Sequence, residues 1–168
     1  MPREVAARVR AGREAVQIPI GFHPHNNLGL AIGNILAAVD EGATYIDGSL
    51  KGFGGGAGNA QTEVAVAALK RAGHDVRADI FGIMDAASVF GKCVAPQPMP
   101  VIDNDSLLMG YANVYGGYIH PVKQASQRYG CDPRELVLRL GERKLVAAQE
   151  DVVVEEAQRL ASTISKAA

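Results

Sequence analysis

The chain has 168 residues, of which 48% are hydrophobic and 21% charged, and its formal net charge is -1. That length supports one domain with a real core, or a domain with a short appendage. The near-neutral balance provides neither a basic surface for nucleic acid nor an acidic tail, and no apolar run nears the roughly 20 residues of a membrane span. The first residues, Met1-Pro2-Arg3-Glu4-Val5, open no signal-peptide pattern, so the sequence reads as soluble and cytoplasmic. Cys93 and Cys131 stand far apart with no CxxC pair, which reads as two reduced thiols.

Residues 3–16 place Val5, Ala6, Val9 and Val16 among arginines and glutamates, the pattern of a helix with one wet face. Ile18-Pro19-Ile20-Gly21-Phe22-His23 suits a buried strand. Residues 28–41 are apolar over a helical length and stop at Gly42. Ala43 to Ser49 form a second short buried strand. This helix–strand–helix–strand rhythm implies parallel strands with helices packed outside them.

Residues 50–58 form a glycine-dense loop. Asn59 is placed to cap a helix over about 60–72, with Glu63 in its first turn and Gly73 at its end. Another helix spans 79–92 behind Asp79. Pro96, Pro98 and Pro100 then break the chain, and a boundary is set there. Beyond Asp103 the pattern is wholly helical. One segment runs from about 105 to 129 and stops at Gly130. A second starts at Asp132-Pro133, with aspartate as cap and proline in the first turn, and a third covers about 149–166.

The layout is thus an α/β piece at 1–98 followed by a helical piece at 99–168. The first piece has room for two or three strands only. A closed (β/α)8 barrel needs about 250 residues, and a few strands alone would leave a raw edge.

The sharpest chemical feature is Gly21-Phe22-His23-Pro24-His25-Asn26-Asn27. Residues i and i+2 of a strand share a face, so His23 and His25 project together from the end where α/β proteins bind ligands. Paired imidazoles suit a divalent transition metal completed by carboxylate and water; a packed histidine beside a surface one is the bland alternative. Asn26 and Asn27 stand at the same mouth, to position substrate or to cap the next helix.

The glycine loop could offer N–H groups to an anion. It is no Walker loop, and no acidic residue follows at the distance that a dinucleotide fingerprint needs. A loop packed beside a metal site is the better reading. Tyr111, Tyr115 and Tyr118 are spaced to share one helix face, either as a half-buried aromatic stripe or as phenol donors. Gln149-Glu150-Asp151 opens the last helix, where acids favour the helix N-terminus.

Taken together, these motifs resemble the C-terminal half of the 4-hydroxy-2-oxovalerate aldolases. The resemblance rests on Gly21-Phe22-His23-x-His25-x-Asn27-Leu28-Gly29, then Gly42-Ala43-Thr44-x-Ile46-Asp47-Gly48-Ser49. It continues through Gly52-x-Gly54-x-Gly56-Ala57-Gly58-Asn59-x3-Glu63, Met109-Gly110-Tyr111-Ala112-x-Val114-Tyr115 and Gln149-Glu150-Asp151. It covers essentially the whole chain.

That resemblance implies the C-terminal part of a (β/α)8 TIM barrel followed by a small all-helical communication domain. It implies aldol cleavage of 4-hydroxy-2-oxoacids to pyruvate and an aldehyde. It further implies a divalent metal, usually Mn2+ with Mg2+ or Co2+ as alternatives, and a partner acylating acetaldehyde dehydrogenase within an oligomer. His23 and His25 carry over as metal ligands, and Tyr115 as the tyrosine facing the substrate's 4-hydroxyl end, with Tyr111 and Tyr118 as rivals.

Asn26 stands where many relatives have a further histidine, and Pro24 replaces a small residue; neither removes a ligand. The family's aspartate ligand, arginine and catalytic histidine belong to the N-terminal half, and Asp40 and Asp47 do not replace them by motif. The chain alone is therefore expected to be inactive, with its missing strands supplied by another polypeptide. The alternatives are a non-catalytic module that docks on the dehydrogenase or on a separate N-terminal half, and a related homocitrate-type or hydroxymethylglutaryl-type lyase. The loop at 52–58 lacks the cysteine of the latter.

Overall fold

The computed structural model describes residues 1–94, 98–145 and 148–167, with side chains described up to Thr163. Pro96 lies outside the described residues. The chain divides into two compact units, Met1–Ile102 and Asp103–Ala168.

In the first unit, helix α1 (Pro2–Ala15) leads into strand β1 (Gly21–Phe22). Helix α2 (Ala31–Asp40) follows, then strand β2 (Tyr45–Ile46) and helices α3 (Thr62–Arg71) and α4 (Ile80–Cys93). The strands pair in parallel, Gly21 with Tyr45 and Phe22 with Ile46. Thr44 N donates to Ile20 O at 2.9 Å and Asp47 N to Phe22 O at 3.0 Å, which extends the ladder at both ends.

Only one face of this ribbon is covered. Phe22 and Ile46 point inward onto Ile35 and Leu69 on one side and Val9 and Ala38 on the other. Tyr45 points outward and is 65% exposed, and Ile18 is 70% exposed. The two strands expected to be buried are therefore shorter than their apolar runs and half-exposed. A ladder extends only where a neighbour accepts its N–H groups, and among the described residues each strand has one neighbour.

The helices owe their limits to local chemistry. α2 begins three residues later than its apolar run because Asn26 Oδ1 accepts from Ala31 N at 3.3 Å, leaving 27–29 as a turn. It ends at Gly42 (φ 93), where Ala43 N returns to Ala38 O, and α3 ends the same way at Gly73 (φ 92) with His74 N on Leu69 O. Asp79 caps α4 by accepting from Gly82 N at 2.6 Å. The cap of α3 is Gln61 rather than Asn59. Asn59 is held in the preceding loop instead.

The described residues of the second unit are helical: α5 (Asn104–Ala112), a 3-10 turn (Gly116–Tyr118), α6 (Ile119–Tyr129), α7 (Pro133–Glu142) and α8 (Glu150–Ala167). The single helix expected over 105–129 is thus two helices. Asn113 adopts the left-handed conformation (φ 56) and ends α5, and two glycines follow before the chain recovers. Gly130 (φ 68) closes α6, and Asp132 caps α7 with Pro133 in its first turn. Met109, Val122, Leu136, Leu140 and Val153 fill the core. Each such side chain contributes about 1.5–3 kcal/mol by leaving water. Buried Glu156 is matched by Arg143 at 2.6 Å and Arg159 at 3.3 Å, fastening α8 to the end of α7.

Both cysteines are free thiols, Cys93 exposed and Cys131 buried. No helix among the described residues is long and apolar enough to cross a membrane.

Candidate metal centre

His23 and His25 follow directly on the C-terminal end of β1, and the structure brings them together. Their ring centroids are 5.1 Å apart and the rings stand edge to face. Buried Pro24 lies between them, so the turn that separates the two imidazoles is anchored in the unit.

The glycine loop holds this segment from the other side. His25 and Asn59 face each other in an isolated antiparallel bridge. Asn26 N donates to Gly58 O at 2.9 Å, and Ala60 N donates to Pro24 O at 3.1 Å. The same stretch pairs with the residues after β2, since Ser49 N donates to Ala60 O and Thr62 N to Ser49 O, both at 3.0 Å. Residues 59–61 thus run between the histidine segment and Ser49. Gly58 (φ 79) is required here, because a Cβ would stand 2.7 Å from Pro100 Cβ and collide with Gly52 O.

The loop's anion-binding potential is met from within the chain. Lys51, itself left-handed (φ 57), directs its backbone N–H at both carboxylate oxygens of Glu63, each at 3.2 Å. Asn59 Nδ2 donates to Phe53 O at 3.3 Å, while its Oδ1 is buried without a hydrogen-bond partner. An orphaned carbonyl oxygen is costly in a protein interior. It was not singled out from the sequence, where the only visible signal was Asn59's place after the last glycine of the loop.

Electrostatics favour neutral imidazole at His25. Burial lowers its pKa from the ordinary value, and the neighbouring His23 adds to the effect. Asp47, just past β2, places Oδ2 4.0 Å from His23 Nδ1. Asp40 is engaged elsewhere, with His74 Nε2 at 3.2 Å. That pair joins the ends of α2 and α3 and has no local sequence signal. Among the described residues, no group of three or more His, Cys, Asp or Glu side chains converges as a metal cluster. The candidate centre among the described residues is a pair of imidazoles with a carboxylate nearby.

In the second unit the three tyrosines do not share a helix face. Tyr111 lies on α5, whereas Tyr115 and Tyr118 flank the 3-10 turn. Tyr118 is buried and its hydroxyl accepts from Gln149 N at 2.9 Å. Tyr111 and Tyr115 are exposed.

The sequence pattern of the HMGL-like family matches residues 1–90. The chain belongs to the HMGL-like family. A DmpG-like communication domain matches residues 100–162. Among curated relatives, the 4-hydroxy-2-oxovalerate aldolase of Pelotomaculum thermopropionicum is 49% identical over 99% of this chain and 49% of its own length. That of Chloroflexus aggregans is 49% identical over 94% of this chain and 46% of its own length. The resemblance read from the motifs is therefore to the right group, and this HMGL-like chain spans about half the length of the curated relatives it matches.

Among solved structures, the chain is similar to the N-terminal domain of a Bacteroides vulgatus protein described as a candidate aldolase. The TM-score is 0.62 at 28% identity, over 71% of this chain and 40% of that one. The carboxyl transferase domain of Rhizobium etli pyruvate carboxylase matches with a TM-score of 0.70 at 21% identity, over 97% of this chain and 30% of that one. The latter likeness is one of fold.

Proposed function

We propose that this chain is the C-terminal portion of a divalent-metal-dependent aldolase that cleaves 4-hydroxy-2-oxovalerate to pyruvate and acetaldehyde. In this reading residues 1–98 are βα units of a (β/α)8 barrel, and residues 99–168 are a communication domain that meets an acylating acetaldehyde dehydrogenase. The observation that carries the reading is the imidazole pair at the end of a parallel strand, 5.1 Å between centroids, in a chain so similar to aldolases of that name.

The residues fit a divalent cation as a partial donor set. His23 and His25 would hold it, with Mn2+ the first choice and Mg2+ or Co2+ as alternatives. Partial burial shifts His25 toward the neutral form that a ligand must have. The Asp47 carboxylate, 4.0 Å from His23 Nδ1, puts a negative charge beside the pair. Asn59 Oδ1, opposite His25 in the backbone bridge, is a polar atom with nothing to satisfy it. When bound, the cation supplies Lewis-acid stabilisation of the charge that develops on the 2-oxoacid oxygens. Tyr115, with an exposed ring, donates its phenol toward the substrate's 4-hydroxyl end. Tyr118 is less suited, being buried with its hydroxyl on Gln149 N.

The test is pyruvate release from 4-hydroxy-2-oxovalerate with Mn2+, by the chain alone and mixed with a polypeptide that supplies the barrel's N-terminal part. Release only from the mixture is the expected result. Metal-dependent release by the chain alone would count against the two-donor site, and a folded but inactive mixture would count against the aldolase reading. The match of 100–162 to a communication domain favours one second reading, a module that docks on the dehydrogenase without catalysing. Co-purification with the dehydrogenase, with no activity in any mixture, would select it.

A further inference from the structure

We propose that Gly117 and Tyr118 are positioning residues for Tyr115, and that the seat they form is tied to the start of α8 through the Tyr118 hydroxyl. The functional half of this inference rests on the reading of Tyr115 given above.

Tyr115 precedes the 3-10 turn in an extended conformation and is 62% exposed. An exposed tyrosine ordinarily samples several rotamers within nanoseconds. Here its ring folds back over the Cα of Gly117. A Cβ at that position would stand 3.0 Å from Tyr115 Cζ and 3.1 Å from Cδ1, and would collide with Cε1. Gly117 is not among the glycines with positive φ, so its backbone conformation does not call for glycine. What a Cβ would meet is the exposed Tyr115 ring alone, which would have to swing aside. Gly116, one residue earlier, has open space around it.

The second support is Tyr118. Its ring meets that of Tyr115 edge to face, with centroids 6.1 Å apart and an interplanar angle of 86°. Tyr118 is only 2% exposed and packs in the core of this unit, so it is the fixed member of the pair. Its hydroxyl accepts from the backbone N–H of Gln149 at 2.9 Å, and α8 begins at the next residue. The exposed phenol of Tyr115 is therefore set by a bare Cα below it and an anchored ring beside it. A shift at the entry to α8 reaches Tyr115 through a single tyrosine.

The experiment uses tyrosine-ring NMR on the full chain, which has five tyrosines and no tryptophan. In the parent chain, Tyr115 ring protons should show contacts to the Gly117 α-protons and shifts distinct from those of Tyr111. Gly117→Ala should abolish both and shift the Tyr118 ring signals, which lose the edge-to-face neighbour, while leaving the Gln149 amide unchanged, and Gly116→Ala should change nothing. Tyr118→Phe keeps the ring and removes the acceptor; it should speed Gln149 amide exchange about tenfold or more and loosen the Tyr115 contact.

In the reconstituted enzyme, Gly117→Ala should lower kcat/KM by up to about 100-fold, the scale of a 1 Å misplacement. Adding Tyr115→Phe should then cost nothing further, since both changes remove one effect. An unmoved Tyr115 ring in Gly117→Ala overturns the seat. A displaced ring with unchanged kcat/KM leaves the seat standing and overturns the role given to Tyr115. A Tyr115 contact untouched by Tyr118→Phe overturns the tie to α8.

Discussion

His25 and Asn59 face each other across an antiparallel bridge, so the second imidazole of the pair is held by the last turn of the glycine loop. The loop reaches that position only because Gly58 adopts φ 79 beneath Pro100. Gly58→Ala should destabilise the first unit by about 1–3 kcal/mol, the range for forcing atoms into a packed site, and should shift the His25 ring signals. Urea unfolding followed by circular dichroism measures the first effect. A change within about 0.5 kcal/mol, as for an ordinary surface substitution, would mean that the loop is not under this constraint.

His25 should titrate below the ordinary histidine value of 6.5, because burial disfavours the imidazolium and His23 adds a smaller repulsion. The sign follows directly. The unfolded chain takes up a proton at higher pH than the folded one, so the stability linked to His25 is complete above 6.5 and is lost as pH falls through the lower folded midpoint. His23→Ala removes only the lesser cause. NMR titration of the ring should show the His25 midpoint rising in that variant yet remaining below 6.5. Full recovery to the ordinary value would make charge, not burial, the dominant cause.

What the sequence made legible was local. Gly42, Gly73 and Gly130 end helices where the apolar runs stop, and Asp79 and Asp132 accept the first-turn N–H groups as cap residues do. His23 and His25 do come together, but past the end of β1 rather than on a strand face, with buried Pro24 between them. What was illegible depends on partners distant in sequence. The strands shrink to two residues each because, among the described residues, each has only one neighbour on which to extend its ladder. Asn59 leaves its capping role for contacts with the loop, and Asp40 finds His74 across 34 positions. The break at Asn113 had a signal, an asparagine shortly before Gly116-Gly117, but helical composition on both sides outweighed it.

α4 depends on its cap more than its neighbours do, because Ala87 is its one buried residue among those described. Asp79→Ala should cost about 1 kcal/mol, whereas Asp79→Asn keeps a capping oxygen and should cost little. Amide exchange across residues 80–83 is the direct readout. Equal protection in the alanine variant and the parent would show that the contact from Asp79 to Gly82 N contributes nothing.

α7 approaches α5 so closely at Gly141 that a Cβ there would stand 3.2 Å from Ala112 Cβ and collide with the Ala112 carbonyl oxygen. Neither helix can yield without disturbing Met109 and Leu140, which are buried in the same core. Gly141→Ala gains helix propensity, worth about 1 kcal/mol at an open site, but should still lower stability by about 1–3 kcal/mol. A net gain on chemical denaturation would show that the helices separate easily.

Asp132 should contribute to the acid sensitivity of the second unit. The Arg134 side chain and backbone N–H both donate to its carboxylate and hold its pKa down to about 2, from an ordinary 3.8. A lowered folded-state pKa means that the stabilisation is complete above 3.8 and disappears as pH falls through about 2. Asp132→Asn separates the two roles of the residue, since the amide oxygen can still accept from Arg134 N but has no proton to gain. The variant should therefore retain α7 near neutral pH and lose this residue's share of the slope in urea midpoint between pH 4 and pH 2. Were the slope to survive intact, the acid response would have to come from another carboxylate, and Asp132 would be a cap alone.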